Sequence, residues 1–87
     1  MHYVYIVQCN DGTFYTGYTT EVKRRIREHN QGEGAKYTRG RLPVSLMYQE
    51  EYESRSKAMQ REYAIKNLDR TAKEKLIEAG EIEKKID

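Results

Sequence analysis

The chain has 87 residues, enough for one domain and too few for two, and no apolar run approaches the ~20 residues of a membrane span. Hydrophobic residues make up 37% and charged ones 34%, with a mean hydropathy of −1.02; the core must be small, but eight Tyr and a regular scatter of Ile, Val and Leu argue against disorder. Net charge is only +2, too low for a strong non-specific polyanion binder, yet residues 1–43 carry seven Lys/Arg against four Asp/Glu, and all seven cations lie between Lys23 and Arg41.

The first element is a strand, Tyr3-Val4-Tyr5-Ile6-Val7-Gln8-Cys9, rich in aromatic and β-branched residues. Both of its alternating faces are apolar, which places it centrally in a sheet covered on two sides. Asn10-Asp11-Gly12 marks a turn, with Gly12 supplying the left-handed residue of a three-residue hairpin loop. The return strand runs Thr13 to Thr19. With residues 10–12 in the loop, Cys9 faces Thr13, Val7 faces Tyr15 and Tyr5 faces Gly17, so Tyr5, Tyr15 and Gly17 share one side of the sheet. The missing side chain of Gly17 leaves room beside the Tyr5 ring. A two-residue loop would instead send the two tyrosines to opposite faces.

Thr19 or Thr20 is a suitable N-cap for a helix over residues 21–31. Val22, Ile26 and His29 fall in its buried sector, and Arg25 lies on the edge of that sector, one turn before His29. An arginine there either snorkels along the helix edge or needs an anionic partner. Residues 31–43 have no period and form a loop long for so small a domain. Lys36, Tyr37, Thr38, Arg39 and Arg41 give it the cations, hydroxyls and stacking ring used for phosphates and unpaired bases; a merely flexible loop would explain its glycines equally well.

Val44–Gln49 alternates as a third strand, and Ser54 or Ser56 opens a helix to Leu68. Its apolar sector holds Ala58, Met59 and Ile65, and Glu62 falls inside it. A carboxylate in such a stripe needs a cation, a metal or a raised pKa, the simplest partner being Lys66 four residues on. Thr71-Ala72-Lys73-Glu74 reads as a capping box for a last helix carrying Leu76 and Ile77 and stopped by Gly80. The expected organisation is a single domain over residues 1–80 and a frayed, charged tail over 81–87.

Several chemistries find no support in these residues. The lone cysteine, Cys9, and two distant histidines make neither a disulfide nor a zinc cluster, and the expected compartment is a reducing cytoplasm. No serine or cysteine has an identifiable base and orienting acid, no glycine-rich phosphate loop joins a strand to a helix, and no paired acids suit sugar chemistry. Two tyrosines on one sheet face, an Arg–His pair on a helix edge and a Glu on a second helix fit phosphodiester hydrolysis better. That reaction needs a cation at the phosphate oxygens, a metal for the leaving oxygen and a proton acceptor for water.

The ordered set Tyr3-Val4-Tyr5, Tyr15-Thr16-Gly17 and Val22-Lys23-Arg24-Arg25-Ile26-Arg27-Glu28-His29-Asn30 resembles the GIY-YIG nuclease superfamily, most closely its small stand-alone bacterial members. The likeness extends from residue 2 to about residue 79. Tyr3 stands where the family name has Gly, and Thr16 where it has Ile. The resemblance implies an α+β fold, a small three-stranded antiparallel sheet flanked by helices in the order β-β-α-β-α-α. It implies Tyr5 and Tyr15 as the motif tyrosines, Gly17 as the small residue beside them, Arg25 on the scissile phosphate, His29 supporting the tyrosine or water network, and Glu62 holding one divalent ion, Mg²⁺ or Mn²⁺.

The expected activity is metal-dependent endonucleolytic cleavage of DNA, branched or damaged DNA included. The competing readings are a nucleic-acid-binding module that cuts weakly or not at all, and a catalytic subunit that needs a protein partner. No membrane association is expected. A tyrosine with a pKa of about 10 is a poor base at neutral pH; it serves only if nearby positive charge lowers that pKa or if it passes its proton onward. Tyr5 is the expected base or base-assisting group, with Tyr15 orienting water or phosphate.

Overall fold

The computed structural model describes the backbone of residues 1–86 and the side chains of residues 1–80. Strand β1 (His2–Gln8) turns into β2 (Phe14–Thr19), followed by α1 (Val22–Asn30), the short α2 (Lys36–Arg39), β3 (Ser45–Tyr52), α3 (Arg55–Lys66) and α4 (Arg70–Ile86). The sheet is antiparallel in the order β2-β1-β3, so β1 is central, as its two apolar faces require. This is the expected α+β fold and order, with one helical turn added inside the loop after α1.

The hairpin has the expected register. Tyr5 pairs with Gly17 and Val7 with Tyr15, the Cys9 N–H donates to the Thr13 carbonyl at 2.8 Å, and Gly12 has φ +86°. Asp11 stabilises the turn by accepting the Thr13 N–H at 3.1 Å. On β3 the register slips between Ile6 and Val7, a bulge at Met47 that leaves Ile6 opposite Tyr48 and Val7 opposite Leu46.

The sheet separates two apolar clusters. Val4 and Ile6 pack with Ala58, Ile65 and Ile77 of α3 and α4, flanked by Phe14, Tyr18, Tyr48 and Tyr52. Tyr5 and Val7 pack on the other side with Cys9, Val44, Tyr15, Ile26 and Leu42. On the first side Glu50 is wrapped by donors. Arg61 bonds both its oxygens at 2.9 and 3.0 Å, and the Tyr48 and Tyr52 hydroxyls donate to it. These bonds hold its carboxyl below the usual range against the opposing effect of burial.

Helix ends differ from the sequence expectation in three places. Glu21, not Thr19 or Thr20, occupies the α1 N-cap, because the Thr19 hydroxyl is already accepting the Glu21 N–H at 3.1 Å and shaping the approach to the helix. Asp69 rather than Thr71 opens α4: its carboxylate accepts the Ala72 N–H at 2.9 Å, where the helix dipole favours an anion. Ser54 does cap α3, accepting the Lys57 N–H.

Gly80 does not stop α4, which continues to Ile86. Its backbone is not left-handed, and a Cβ there would lie 2.8 Å from the Tyr48 ring, so this glycine lets the helix approach the sheet. The expected fraying of 81–87 concerns side chains outside the described residues. Met59 is also exposed rather than buried, because α3 presents only the narrow Ala58–Ile65 stripe to the sheet.

One polar atom in this packing has no partner among the described residues, the buried Thr16 hydroxyl. Thr16→Val keeps the shape and removes an unsatisfied group, so it is expected to raise the unfolding free energy by about 1 kcal/mol. A rise in the urea midpoint at constant m-value would show this; an unchanged or lower midpoint would mean that the hydroxyl is satisfied.

Candidate active site

The second apolar cluster is also where the polar residues of interest meet. Register places Tyr5 and Tyr15 on the α1 side of the sheet, their ring centroids 6.5 Å apart. Gly17 sits against Tyr5, so near that an added Cβ would fall 2.6 Å from the Tyr5 Cζ. His29, on the last turn of α1, is fully buried with both tyrosines around it, its ring 5.9 Å from Tyr5 and 5.5 Å from Tyr15, each edge-on. Its Nε2 lies 2.7 Å from the Tyr5 hydroxyl and its Nδ1 2.9 Å from the Thr38 hydroxyl.

The local chain explains how His29 reaches this position. Helix α1 ends one residue later in paired bonds, Gly32 N–H to the His29 carbonyl and Glu33 N–H to the Glu28 carbonyl, with Gly32 at φ +78°. The reversal brings Gly34 onto the imidazole, where a Cβ would lie 2.8 Å from the His29 Cα. It then starts α2, whose Thr38 is fully buried against the ring. Asn30 secures the other end of the loop by accepting the Val44 N–H at 2.7 Å and donating to the Val44 carbonyl at 3.2 Å.

Burial dominates the electrostatics. It pushes the Tyr5 phenol up to about 12, an effect that Arg25 opposes and that Tyr15 and Glu62 reinforce. The cation beside Tyr5 therefore does not create a phenolate; at neutral pH Tyr5 keeps its proton. Of the two conditions under which the tyrosine can act as a base, lowering of its pKa is not met. Burial, then the Arg25 charge, push His29 below its ordinary value, so the imidazole is neutral.

Arg25 remains 30% exposed and is ion-paired with Glu28 at 3.1 Å, the anionic partner its position required. Glu62 is near enough for its charge to act on Tyr5. It lies between Ala58 and Ile65 along the buried stripe of α3, its side chain 17% exposed, with Lys66 4.0 Å away. Arg25 and Glu62 thus act on the Tyr5 phenol with opposite charge, and each has another partner, Glu28 and Lys66.

The loop residues separate into two groups. Lys36 and Arg39 are exposed. Tyr37 stacks on Tyr15 at 6.0 Å, and Arg41 lies 4.1 Å over its ring while bonding Asp11 and the Tyr37 carbonyl. Thr38 faces inward to His29 rather than outward. Sequence reasoning missed Glu28 as the partner of Arg25, Gly34 as the residue clearing space for the imidazole, and Asn30 as the loop fastener. The Gly-Glu-Gly run after the helix was the available sign of a close approach.

No cluster of three or more His, Cys, Asp and Glu residues occurs among the described residues. The donor set at Glu62 is a single, partly exposed carboxylate. This fits a hard ion of the Mg²⁺ or Mn²⁺ kind, which keeps most of its waters and shares substrate phosphates, and does not fit a closed zinc site.

Gly34→Ala should force the imidazole to move and cost about 1–3 kcal/mol, whereas Gly40→Ala, where a Cβ meets open space, should be nearly neutral; denaturant midpoints compare the two. His29 has a folded pKa below its ordinary 6.5, so the unfolded chain binds a proton that the folded one refuses. Its contribution to stability is complete above that value and lost as pH falls below it. Unfolding measured from about pH 8 to about pH 5, with an NMR titration of His29, is expected to show both the decline and a ring that stays neutral through its ordinary midpoint.

Comparison with known proteins bears on the fold and the family. Residues 1–75 match the GIY-YIG catalytic domain. A UPF0213 protein of Halobacterium salinarum is 62% identical over 76 residues, covering 87% of this chain and 99% of that protein. One of Staphylococcus haemolyticus is 60% identical over 77 residues, covering 88% and 94%. The solution NMR structure of a UPF0213 protein from Bacillus halodurans superimposes with a TM-score of 0.59 at 52% identity, covering 90% of this chain and 83% of the other. A protein structure from E. faecalis gives 0.62 at 47%, covering 93% and 86%. Fold and sequence agree, and the chain belongs to the GIY-YIG catalytic-domain family, a family of nucleases, alongside the small proteins of the UPF0213 group.

Proposed function

We propose that the protein is a metal-dependent endonuclease that hydrolyses phosphodiester bonds of DNA, with branched or damaged DNA as its substrate class and the cytoplasm as its compartment. The observation that carries this reading is the 2.7 Å hydrogen bond between a buried, protonated Tyr5 and the neutral His29. A tyrosine whose pKa is raised can still act as a base if it gives up one proton as it gains another. In this mechanism the attacking water gives a proton to the Tyr5 oxygen while the Tyr5 proton passes to His29 Nε2. The water oxygen bonds to phosphorus, and the bond to the leaving oxygen breaks.

Arg25 leaves Glu28 for the phosphate, where its planar donors offset charge on the equatorial oxygens. Tyr15 orients water or phosphate, and Gly17 leaves room for the Tyr5 phenol that lies against it. Glu62 would hold one Mg²⁺ or Mn²⁺, which supplies charge stabilisation at the leaving oxygen when bound. Lys36 and Arg39 offer exposed charge to the flanking backbone, and Tyr37 with Arg41 forms the rim beside Tyr15. Thr38 enters only through His29. Among the described residues no helix is long and apolar enough to cross a membrane.

Cleavage of a panel of nicked, branched and linear DNAs in Mg²⁺ or Mn²⁺ tests the proposal. Arg25→Ala and Glu62→Ala are each expected to lower the cleavage rate about 10²–10³-fold. Arg25→Ala should change stability by no more than about 1 kcal/mol, since its ion pair is partly solvated. Glu62→Gln should abolish Mg²⁺ binding by titration calorimetry. DNA binding without cutting, untouched by these substitutions, would support a binding module instead. Cutting only with an added protein would support a partner-dependent subunit.

A further inference from the structure

Resting on the reading of Tyr5 and His29 as the proton-handling pair, we propose that Thr38 is a positioning residue that holds His29 in the tautomer protonated on Nδ1 and so keeps Nε2 as an acceptor for the Tyr5 proton. The argument is one of hydrogen counting. The Thr38 hydroxyl has one hydrogen, and it lies 2.9 Å from the Ala35 carbonyl, a group that can only accept. With that hydrogen committed, Thr38 Oγ1 presents lone pairs to His29 Nδ1 at 2.9 Å, and the nitrogen must donate. A neutral imidazole has one N–H, so Nε2 carries the lone pair, and the contact 2.7 Å away is a hydrogen bond from the Tyr5 hydroxyl.

The chain of donors therefore runs one way, from Tyr5 to His29 to Thr38 to the Ala35 carbonyl, and Tyr5, His29 and Thr38 are all buried. The opposite tautomer would require the Thr38 hydroxyl to turn from the Ala35 carbonyl to donate to Nδ1, and would make Tyr5 accept from Nε2, taking from the Tyr5 hydrogen the acceptor it has in His29. The surroundings allow no escape by ring rotation, because Gly34 lies against one side of the imidazole and the tyrosine rings border it elsewhere. The one-turn helix α2 fixes the hydroxyl in turn, since the Thr38 N–H bonds the same Ala35 carbonyl at 3.1 Å. When the Tyr5 proton reaches Nε2, the resulting imidazolium keeps its Nδ1–H on Thr38, and no second group has to reorient.

The chain has two histidines, His2 and His29, so long-range ¹H–¹⁵N NMR of the ¹⁵N-labelled protein, without DNA or metal, assigns the tautomer directly. His29 is expected to show a protonated Nδ1 and an unprotonated Nε2, a pattern retained in Thr38→Ser and lost in Thr38→Val. Single-turnover DNA cleavage should fall about 10²-fold in Thr38→Val at unchanged DNA affinity and recover in Thr38→Ser. A wild-type His29 protonated on Nε2 would overturn the assignment even if no variant folds. So would a Thr38→Val protein that keeps both the pattern and the rate. The expected tautomer in a wild-type protein that cuts no DNA sinks the nuclease reading while leaving the hold of Thr38 on His29 in place.

Discussion

A neutral imidazole sealed between a phenol and a threonine hydroxyl ties together the central strand, the helix after the hairpin and the loop beyond it. Burying a histidine is costly unless both ring nitrogens find partners. Here Tyr5 and Thr38 satisfy both nitrogens, and those two bonds join β1, α1 and α2. The turn at Gly32, the close approach of Gly34 and the Asn30 bonds to Val44 all serve the same geometry, because each brings the loop to the ring. Without the imidazole, Tyr5 would hold a buried hydroxyl with no acceptor, and residues 31–43 would lose their anchor.

The same burial sets the chemistry. In water a guanidinium beside a phenol would favour the phenolate. In this cluster desolvation outweighs Arg25, and the phenol pKa rises instead of falling. A preformed phenolate is therefore not the resource on offer. Under the proposed mechanism the resource is instead the 2.7 Å contact with His29, along which a proton would leave Tyr5 as another arrives. The imidazole stays neutral because it is buried near a positive charge, which leaves one of its ring nitrogens with a lone pair able to accept a proton. Arg25 keeps its exposure and its pair with Glu28, so it can exchange one anion for another at the surface while His29 stays buried behind Tyr5.

The two faces of the sheet carry different loads. The α3–α4 side encloses Val4, Ile6 and the Glu50–Arg61–Tyr48–Tyr52 network, in which a half-buried carboxylate is surrounded by donors. Glu62 on the same helix α3 has only a long contact with Lys66 and keeps its oxygens available. Two glutamates at similar exposure thus differ in chemistry because of what surrounds them. The fully bonded Glu50 ties helix to strand, and the loosely paired Glu62 is the one that would hold the cation of the proposed mechanism.

Much of this was legible in the sequence, for local reasons. The alternation of Tyr3–Cys9 and the Asn10-Asp11-Gly12 turn specify the hairpin register, and register alone places Tyr5, Tyr15 and Gly17 on one face, since side chains in a strand alternate with period two. The spacing of Arg25 and His29 puts both on one side of a helix, and Ser54 announces α3. Other features were decided only when distant segments met. Asp69 displaced Thr71 as a cap, Gly80 became a packing site for Tyr48, and Thr38 turned inward from a loop whose composition pointed to solvent. The pKa of Tyr5 belongs to this second group as well, because both the Arg25 charge that lowers it and the burial that raises it more come from elements that meet β1 only in the folded chain. Backbone periodicity and turn chemistry act over a few residues and can be read one segment at a time; hydrogen-bond partners and dielectric are properties of the assembled interior, and only the tertiary structure supplies them.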